Sequence, residues 1–129
     1  MSEPARLFQE FAAALQFPYY FGENWIALRE CLVDLEWLPA EEYLLIIFDF
    51  PQLLQSDSKG LRVLMNILGE VALEWGTPIS VGEYWDRPAK PFKVLFHATP
   101  EDTDLMTRRC EDCDIDLETW DLQPVEGSD

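Results

Sequence analysis

The sequence predicts an α/β fold in which a small sheet is covered by helices. Three observations carry that expectation. Apolar residues recur at helical spacing in separate segments, one run of eight residues, YLLIIFDF, is almost continuously apolar, and two strand-like segments further on are joined by a short link. A continuous apolar run fits a strand covered on both faces, as in parallel sheets, whereas a short link makes its two neighbours an antiparallel hairpin. The expected sheet therefore has a parallel core plus an added antiparallel strand.

Each element has its own signal. Leu7, Phe8, Phe11, Ala12 and Leu15 share a helical face over residues 2–16, with Ser2 as a cap and Pro4 in the first turn. An aromatic loop, FPYYFG, follows over residues 17–22, where Pro18 takes Phe17 out of the helical region and Gly22 permits a turn. Asn24 is a good cap for a second helix running to about Glu36, stopped by Pro39. The apolar run at residues 43–50 is the central strand, and residues 51–55 form a short helix. Residues 60–75 carry Leu61, Leu64, Met65, Leu68, Ala72 and Trp75 on one helical face, ended by Gly76. Residues 78–85 and 91–98 are the two hairpin strands, linked by Asp86-Arg87-Pro88-Ala89-Lys90. Beyond them come a helix over 100–110, an alternating segment and a tail at 123–129 of disordered character.

With 129 residues, 48% of them hydrophobic, the chain has enough apolar material for the core of one domain. We divide it into residues 1–98 and an acidic C-terminal extension of the same domain, residues 99–129. Nine basic residues stand against twenty-five acids, a formal charge of −16, and nine of those net negative charges lie in the extension. A nucleic-acid binder should be basic, so such a partner is excluded, and a cationic partner is favoured. No apolar run is long enough to span a bilayer and no export signal opens the chain, which implies a cytoplasmic protein with no membrane partner.

Chemistry-bearing motifs are scarce. Cys110 and Cys113 form a lone C-x-x-C, but a structural zinc needs four ligands and the other soft candidates, Cys31 and His97, are distant in sequence. Cys113 instead begins the alternation Cys113, Ile115, Leu117 against Asp112, Asp114, Asp116 and Glu118, the pattern of a half-buried strand with an acidic outer face. Asp112, Asp114 and Asp116 resemble the start of a calcium loop, yet Leu117 stands where glycine is required and Gln123 where a bidentate glutamate is needed. No nucleophile elbow or phosphate-cradling glycine pattern occurs, and His97, at a strand end, reads as structural. The expectation is a protein without cofactor or metal, and not an enzyme.

The second helix is more informative. Trp25, Leu28, Cys31, Leu32 and Leu35 gather on the side that must face the core. The opposite side holds Ile26, Glu30, Val33 and Asp34, with Arg29 at its margin, and aliphatic residues flanking a carboxylate on an exposed face have the character of an interface. In the preceding loop Phe17, Phe21 and Trp25 read mostly as core. Tyr20, beside Gly22 and Asn24, is either core or a partner contact, because rigid aromatics with a polar tip are frequent interface anchors. Glu70 and Glu74, four residues apart, share a helix face with Asn66 as an acidic stripe, for which a solvated surface is the plainer reading.

The segment FPYYFGENWIALRECLVDLEWLP, residues 17–39, resembles the barstar family of intracellular ribonuclease inhibitors. Tyr20, Gly22, Glu23, Asn24, Ala27, Leu28, Cys31 and Leu32 fall where that family carries the same residues, with Asp34, Leu35, Trp37, Leu38 and Pro39 as in its longer members. The order of elements extends the likeness more loosely to about Trp85, and the C-terminal third has no counterpart in the shortest members. The resemblance implies a barstar-like α/β domain whose parallel sheet is covered by helices, with the loop and second helix plugging the active-site cleft of a basic ribonuclease. It matches Gly22 and Asn24 to contact positions and puts Glu30 on the main acidic contact, and it places Glu70 and Glu74 in a helix that supplies further acidic contacts. Two residues depart from the pattern. Ile26 replaces a common aspartate, and Arg29 stands where an aromatic residue makes contact, adding a repulsive charge toward a cationic cleft. The family's initial strand has no counterpart, so the strand at residues 91–98 would rebuild the sheet.

The expected site thus comprises Tyr20, Gly22, Asn24, Trp25, Ile26, Arg29, Glu30, Glu70 and Glu74. The expected function is a monomeric inhibitor or immunity protein that occludes a basic ribonuclease or nuclease toxin. The alternative is a barstar-like interaction module without nuclease inhibition, using the same face for another protein or for weak self-association.

Overall fold

A computed structural model describes residues 3–48, 53–97 and 100–112. Its elements run α1 (Glu3–Leu15), α2 (Trp25–Asp34), β1 (Tyr43–Ile47), α3 (Ser58–Trp75), β2 (Phe92–Phe96), a 3-10 turn (Pro100–Asp102) and α4 (Thr103–Asp112). Parts of six sequence expectations lie outside the described residues: the Ser2 cap, the strand end at 49–50, the short helix start at 51–52, the strand end at 98, the alternating strand from Cys113, and the tail at 123–129.

The helices form where their apolar spacing and caps require. α1 buries Leu7, Phe8, Phe11 and Leu15 along one face. In α3 the Asp57 side chain accepts from Gly60 N–H at 2.8 Å, while Leu61, Leu64, Met65, Leu68 and Trp75 turn inward together with Ile67 and Val71. Gly76 ends α3 by donating its N–H to Ala72 at 3.0 Å. Together with Leu28, Leu32 and Leu35 these residues make one core, in which Leu28, Leu32, Leu61, Leu64, Leu68 and Val71 are fully buried.

β1 and β2 pair in parallel, in a register that runs from Tyr43 opposite Phe92 to Ile47 opposite Phe96. The connection between them passes through α3, as parallel neighbours require. Tyr43 N–H donates to Pro91 at 2.9 Å and His97 N–H to Ile47 at 2.8 Å, closing the pair at both ends. Tyr43, Leu45, Ile47, Phe92, Val94 and Phe96 face the helices.

Two expectations about the sheet are corrected. Among the described residues the sheet consists of two parallel strands, without an added antiparallel strand. Residues 78–85 instead form a loop closed by a single antiparallel bridge between Ile79 and Arg87. Pro78, Pro88 and Pro91 lack ladder donors, Lys90 N–H is taken by Trp75 O at 2.7 Å, and β1 occupies the neighbouring edge of β2. The second correction concerns β1, which among the described residues is covered on one face only. Leu44 and Ile46 alternate outward and are exposed, as is Phe48 just beyond the strand. A continuous apolar run reports hydrophobicity on both faces, not the presence of something to cover both.

Candidate functional site

The site begins with a cap. Asn24 lies in extended backbone, and its Oδ1 accepts from Ala27 N–H at 2.8 Å while its Nδ2 donates to Gly22 O at 3.1 Å. The side chain thus nucleates α2 and folds the loop back on it. Gly22 matters here for space rather than for the turn that the sequence suggested. A Cβ on Gly22 would come within 3.0 Å of Asn24 Nδ2, whereas the left-handed residue is Glu23, at φ +48°. Both Gly22 and Asn24 are exposed.

Behind the loop sits an aromatic cluster. Phe21 stacks edge-on against Phe8 and Phe17, and the Trp25 ring meets Phe8 at 4.9 Å in a T-shaped contact. Trp25 is half-buried and packs on the core, where its ring seats the start of α2. Val33, expected outward, is likewise half-buried against the core.

α2 is fixed at its other end by charge and ring. Trp75 Nε1 donates to Leu32 O and Arg87 Nη1 to Val33 O, both at 2.8 Å, satisfying carbonyls of the last helical turn. The Arg87 guanidinium also lies 3.6 Å from the Trp75 ring centroid. Leu35 closes the helix in the left-handed region, φ +47°, its N–H bonded to Cys31 O, and burial of its side chain offsets the strain of that conformation.

What this frame presents outward is a short acidic and aromatic surface. Tyr20 is 63% exposed and Ile26 73% exposed, and Glu30 and Asp34 are exposed one turn apart. A groove of about 150 Å³ lies between the loop and α2, lined by Tyr20, Phe21, Gly22, Ala27, Glu30, Cys31 and Asp34. Among the described residues the Glu30 carboxylate takes no hydrogen bond or ion pair. Desolvation against the groove, and then Asp34, push the Tyr20 hydroxyl above the usual tyrosine range, so it stays a neutral donor. Burial first, then Asp34 and Glu30, raise the Cys31 thiol, which keeps it unreactive.

Arg29, Glu70 and Glu74 are brought together, but in a way the sequence did not reveal. Arg29 Nε donates to Glu70 at 2.8 Å and Arg29 Nη2 to Glu74 at 2.7 Å. Arg29, which the resemblance set against a cationic cleft, is a link between α2 and α3, and Glu70 and Glu74, an acidic stripe in the sequence, are its acceptors. A helix-helix contact 41 to 45 residues apart leaves no local signal. Arg87, which anchors the end of α2, was missed for the same reason. Among the described residues no cluster of three or more His, Cys, Asp and Glu side chains could hold a metal ion.

A family model described as Barstar (barnase inhibitor) matches residues 1–97. No curated protein and no solved structure matches the chain. The family consists of inhibitors rather than enzymes and takes its description from ribonuclease inhibition. Matched over most of its length, with the capped loop and α2 in that match, this chain belongs to the barstar family.

Proposed function

We propose that this protein is an inhibitor or immunity protein that binds a basic ribonuclease or nuclease toxin one-to-one and occludes its active site through the loop and α2. The observation that carries the reading is Glu30: an exposed carboxylate, unpaired among the described residues, at the edge of a groove beside Tyr20, on a helix held at both ends. In a cleft built for RNA phosphates, that carboxylate would take charge-assisted bonds from Arg or Lys, while Tyr20 and Ile26 bury apolar surface at the centre. The second N–H of Asn24 Nδ2 and the exposed backbone at Gly22 supply neutral hydrogen bonds. The net charge of −16, including that of residues 99–129 as an acidic extension, speeds encounter with a cationic partner. A cytoplasmic setting, where such an inhibitor protects its own cell, completes the proposal.

The test is inhibition of RNA cleavage by basic ribonucleases and nuclease toxins, titrated with the intact chain and with Glu30→Ala. Stoichiometric inhibition by the intact chain, lost in the variant, supports the reading. Raised salt should slow association more than it speeds dissociation.

A second reading has its own observation. Arg29 occupies both α3 glutamates, and Ile26 presents an aliphatic side chain on the same face, so the surface is less acidic and more apolar than a phosphate mimic needs. It fits an interaction module for another protein, without nuclease inhibition. Binding of a partner through Ile26 that leaves its nuclease activity untouched would select this reading.

A further inference from the structure

The loop between α3 and β2 carries more aromatic surface than its place in the fold requires. Ile79 and Arg87 exchange backbone hydrogen bonds at 2.9 and 3.0 Å, which closes the loop at its base. Inside it, Asp86 accepts from Val81 N–H at 3.0 Å and from Gly82 N–H at 2.8 Å, and its own N–H donates to Glu83 O at 3.0 Å. Gly82, at φ +81°, makes the turn that these bonds close. The result is a compact loop held by its own backbone and one carboxylate. On it Tyr84 is 93% exposed and Trp85 52% exposed, their rings edge-on with centroids 5.0 Å apart. The anchoring of α2 uses Arg87, through Val33 O and the Trp75 ring, and the two exposed rings take no part in it.

The same anchor fixes where the loop stands. Trp85 is two residues from Arg87, so no more than about 7 Å of backbone separates it from the residue bonded to the end of α2. By helical spacing Glu30 lies between Ala27 and Asp34, which line the groove, and Val33, whose carbonyl Arg87 holds. The outward face of α2 therefore has the loop of residues 17–22 along one side, and residues 79–87 on the other toward its C-terminal end. A standard protein interface takes about 20–30 residues from each partner. A ten-residue helix and the short loop before it fall short of that, and the neighbouring loop makes up the difference. Its outward charge is negative, because Glu83 is exposed while the Arg87 guanidinium is engaged by Val33 O and Trp75.

We propose that residues 79–87 are a second contact arm for the same basic nuclease, gripping a cationic surface beside the cleft while α2 fills the cleft itself. This rests on the nuclease-binding reading above. Arg and Lys side chains of the partner stack on the faces of Trp85 and Tyr84, since an aromatic face attracts a cation, and Glu83 supplies a counter-charge. Asp86 and the Ile79–Arg87 bridge fix the loop before binding, so little ordering entropy is lost on docking. The gain appears mainly as slower dissociation.

The experiment measures inhibition, association and dissociation with barnase, the ribonuclease named in the family's description, and with other basic ribonucleases and nuclease toxins. Four full-length chains are compared: intact, Glu30→Ala, Tyr84→Ala/Trp85→Ala and Tyr84→Phe/Trp85→Phe. Against a nuclease that the intact chain inhibits, Tyr84→Ala/Trp85→Ala should bind roughly 10- to 100-fold more weakly, chiefly through faster dissociation. It should still inhibit fully at saturation, because α2 is untouched. Tyr84→Phe/Trp85→Phe keeps the ring faces and should bind within about threefold of the intact chain. If Tyr84→Ala/Trp85→Ala loses its urea transition, Tyr84→Ala alone, at the more exposed position, takes its place. Unchanged affinity of Tyr84→Ala/Trp85→Ala, beside a loss in Glu30→Ala, would overturn this inference and leave the proposed function standing. Equal losses in the Ala and Phe variants would overturn the ring-face contact. No binding of the intact chain to any of these nucleases would overturn the proposed function, and this inference with it.

Discussion

Two acidic regions of this protein, the outward face of α2 and the stripe on α3, look alike in sequence and differ in structure. Glu30 on α2 is an exposed carboxylate at the edge of a groove, unpaired among the described residues and one turn from Asp34. Glu70 and Glu74 on α3 are both held by one guanidinium, at 2.8 and 2.7 Å. The first is a charge available to a partner; the second pair is already part of the joint between two helices. An acidic residue count overstates the negative surface wherever a cation from another element reaches it, as Arg29 reaches Glu70 and Glu74.

The difference can be tested directly, beginning with Glu30. Against a ribonuclease that the intact chain inhibits, Glu30→Ala should lose about 2–5 kcal/mol of binding, the usual cost of truncating one partner of a buried, hydrogen-bonded charge pair. Its folding stability should change by no more than about 0.5 kcal/mol, as for other surface sites. Equal binding by Glu30→Ala and the intact chain, measured by inhibition titration, would put the contact elsewhere.

The frame behind α2 comes next. Arg87→Ala removes the charged donor to Val33 O and the contact with Trp75, and should cost about 1.5–3 kcal/mol in urea unfolding. Because α2 loses its end anchor, binding should weaken along with stability, unlike the Glu30 case.

A smaller effect is expected from Arg29→Ala. The pairs are partly exposed, so a double-mutant cycle with Glu70→Ala should return a coupling of about 0.2–1 kcal/mol. The same substitution releases two carboxylates toward solvent, and association with a basic partner should become faster and more salt-dependent. An unchanged association rate would show that the α3 stripe lies outside the approach path.

The smallest effect belongs to the loop that carries Arg87. Asp86 accepts from Val81 N–H at 3.0 Å and from Gly82 N–H at 2.8 Å, and the Val81 bond is the main cause that holds its carboxyl below the ordinary aspartate range. Since the folded value is the lower one, the contribution is complete above the unfolded value near 4 and is lost as pH falls through the depressed folded value. Asp86→Asn should flatten the acid limb of stability against pH and speed amide exchange at Val81 and Gly82.

Much of the framework was legible. The apolar spacing of Leu7, Phe8, Phe11 and Leu15 specified α1 and its buried face, and Asn24 as the cap of α2 is confirmed by its bond to Ala27. The parallel sheet was expected, but among the described residues its antiparallel addition is not found, because a short link between two strand-like segments does not say whether either has a free edge to pair with. Gly22 is set apart by its close approach to Asn24 and not by a positive φ: a Cβ there would stand 3.0 Å from Asn24 Nδ2. Val33 misled because it lies at the end of α2 that Trp75 and Arg87 close over, where it is half-buried against the core.

Sequence by itself determined the local matters: where helices start and stop, which stripe of each is apolar, and the family to which the chain belongs, because each is written in the spacing and type of neighbouring residues. Tertiary structure alone decided which charges are free and which apolar faces are covered. Arg29 meets Glu70 and Glu74, and Arg87 meets Val33, only after the chain has folded. Among the described residues the inner face of β1 packs on the helices, while Leu44 and Ile46 on its outer face are exposed. Such pairings are set by distances in space between residues remote along the chain, and no periodicity encodes them.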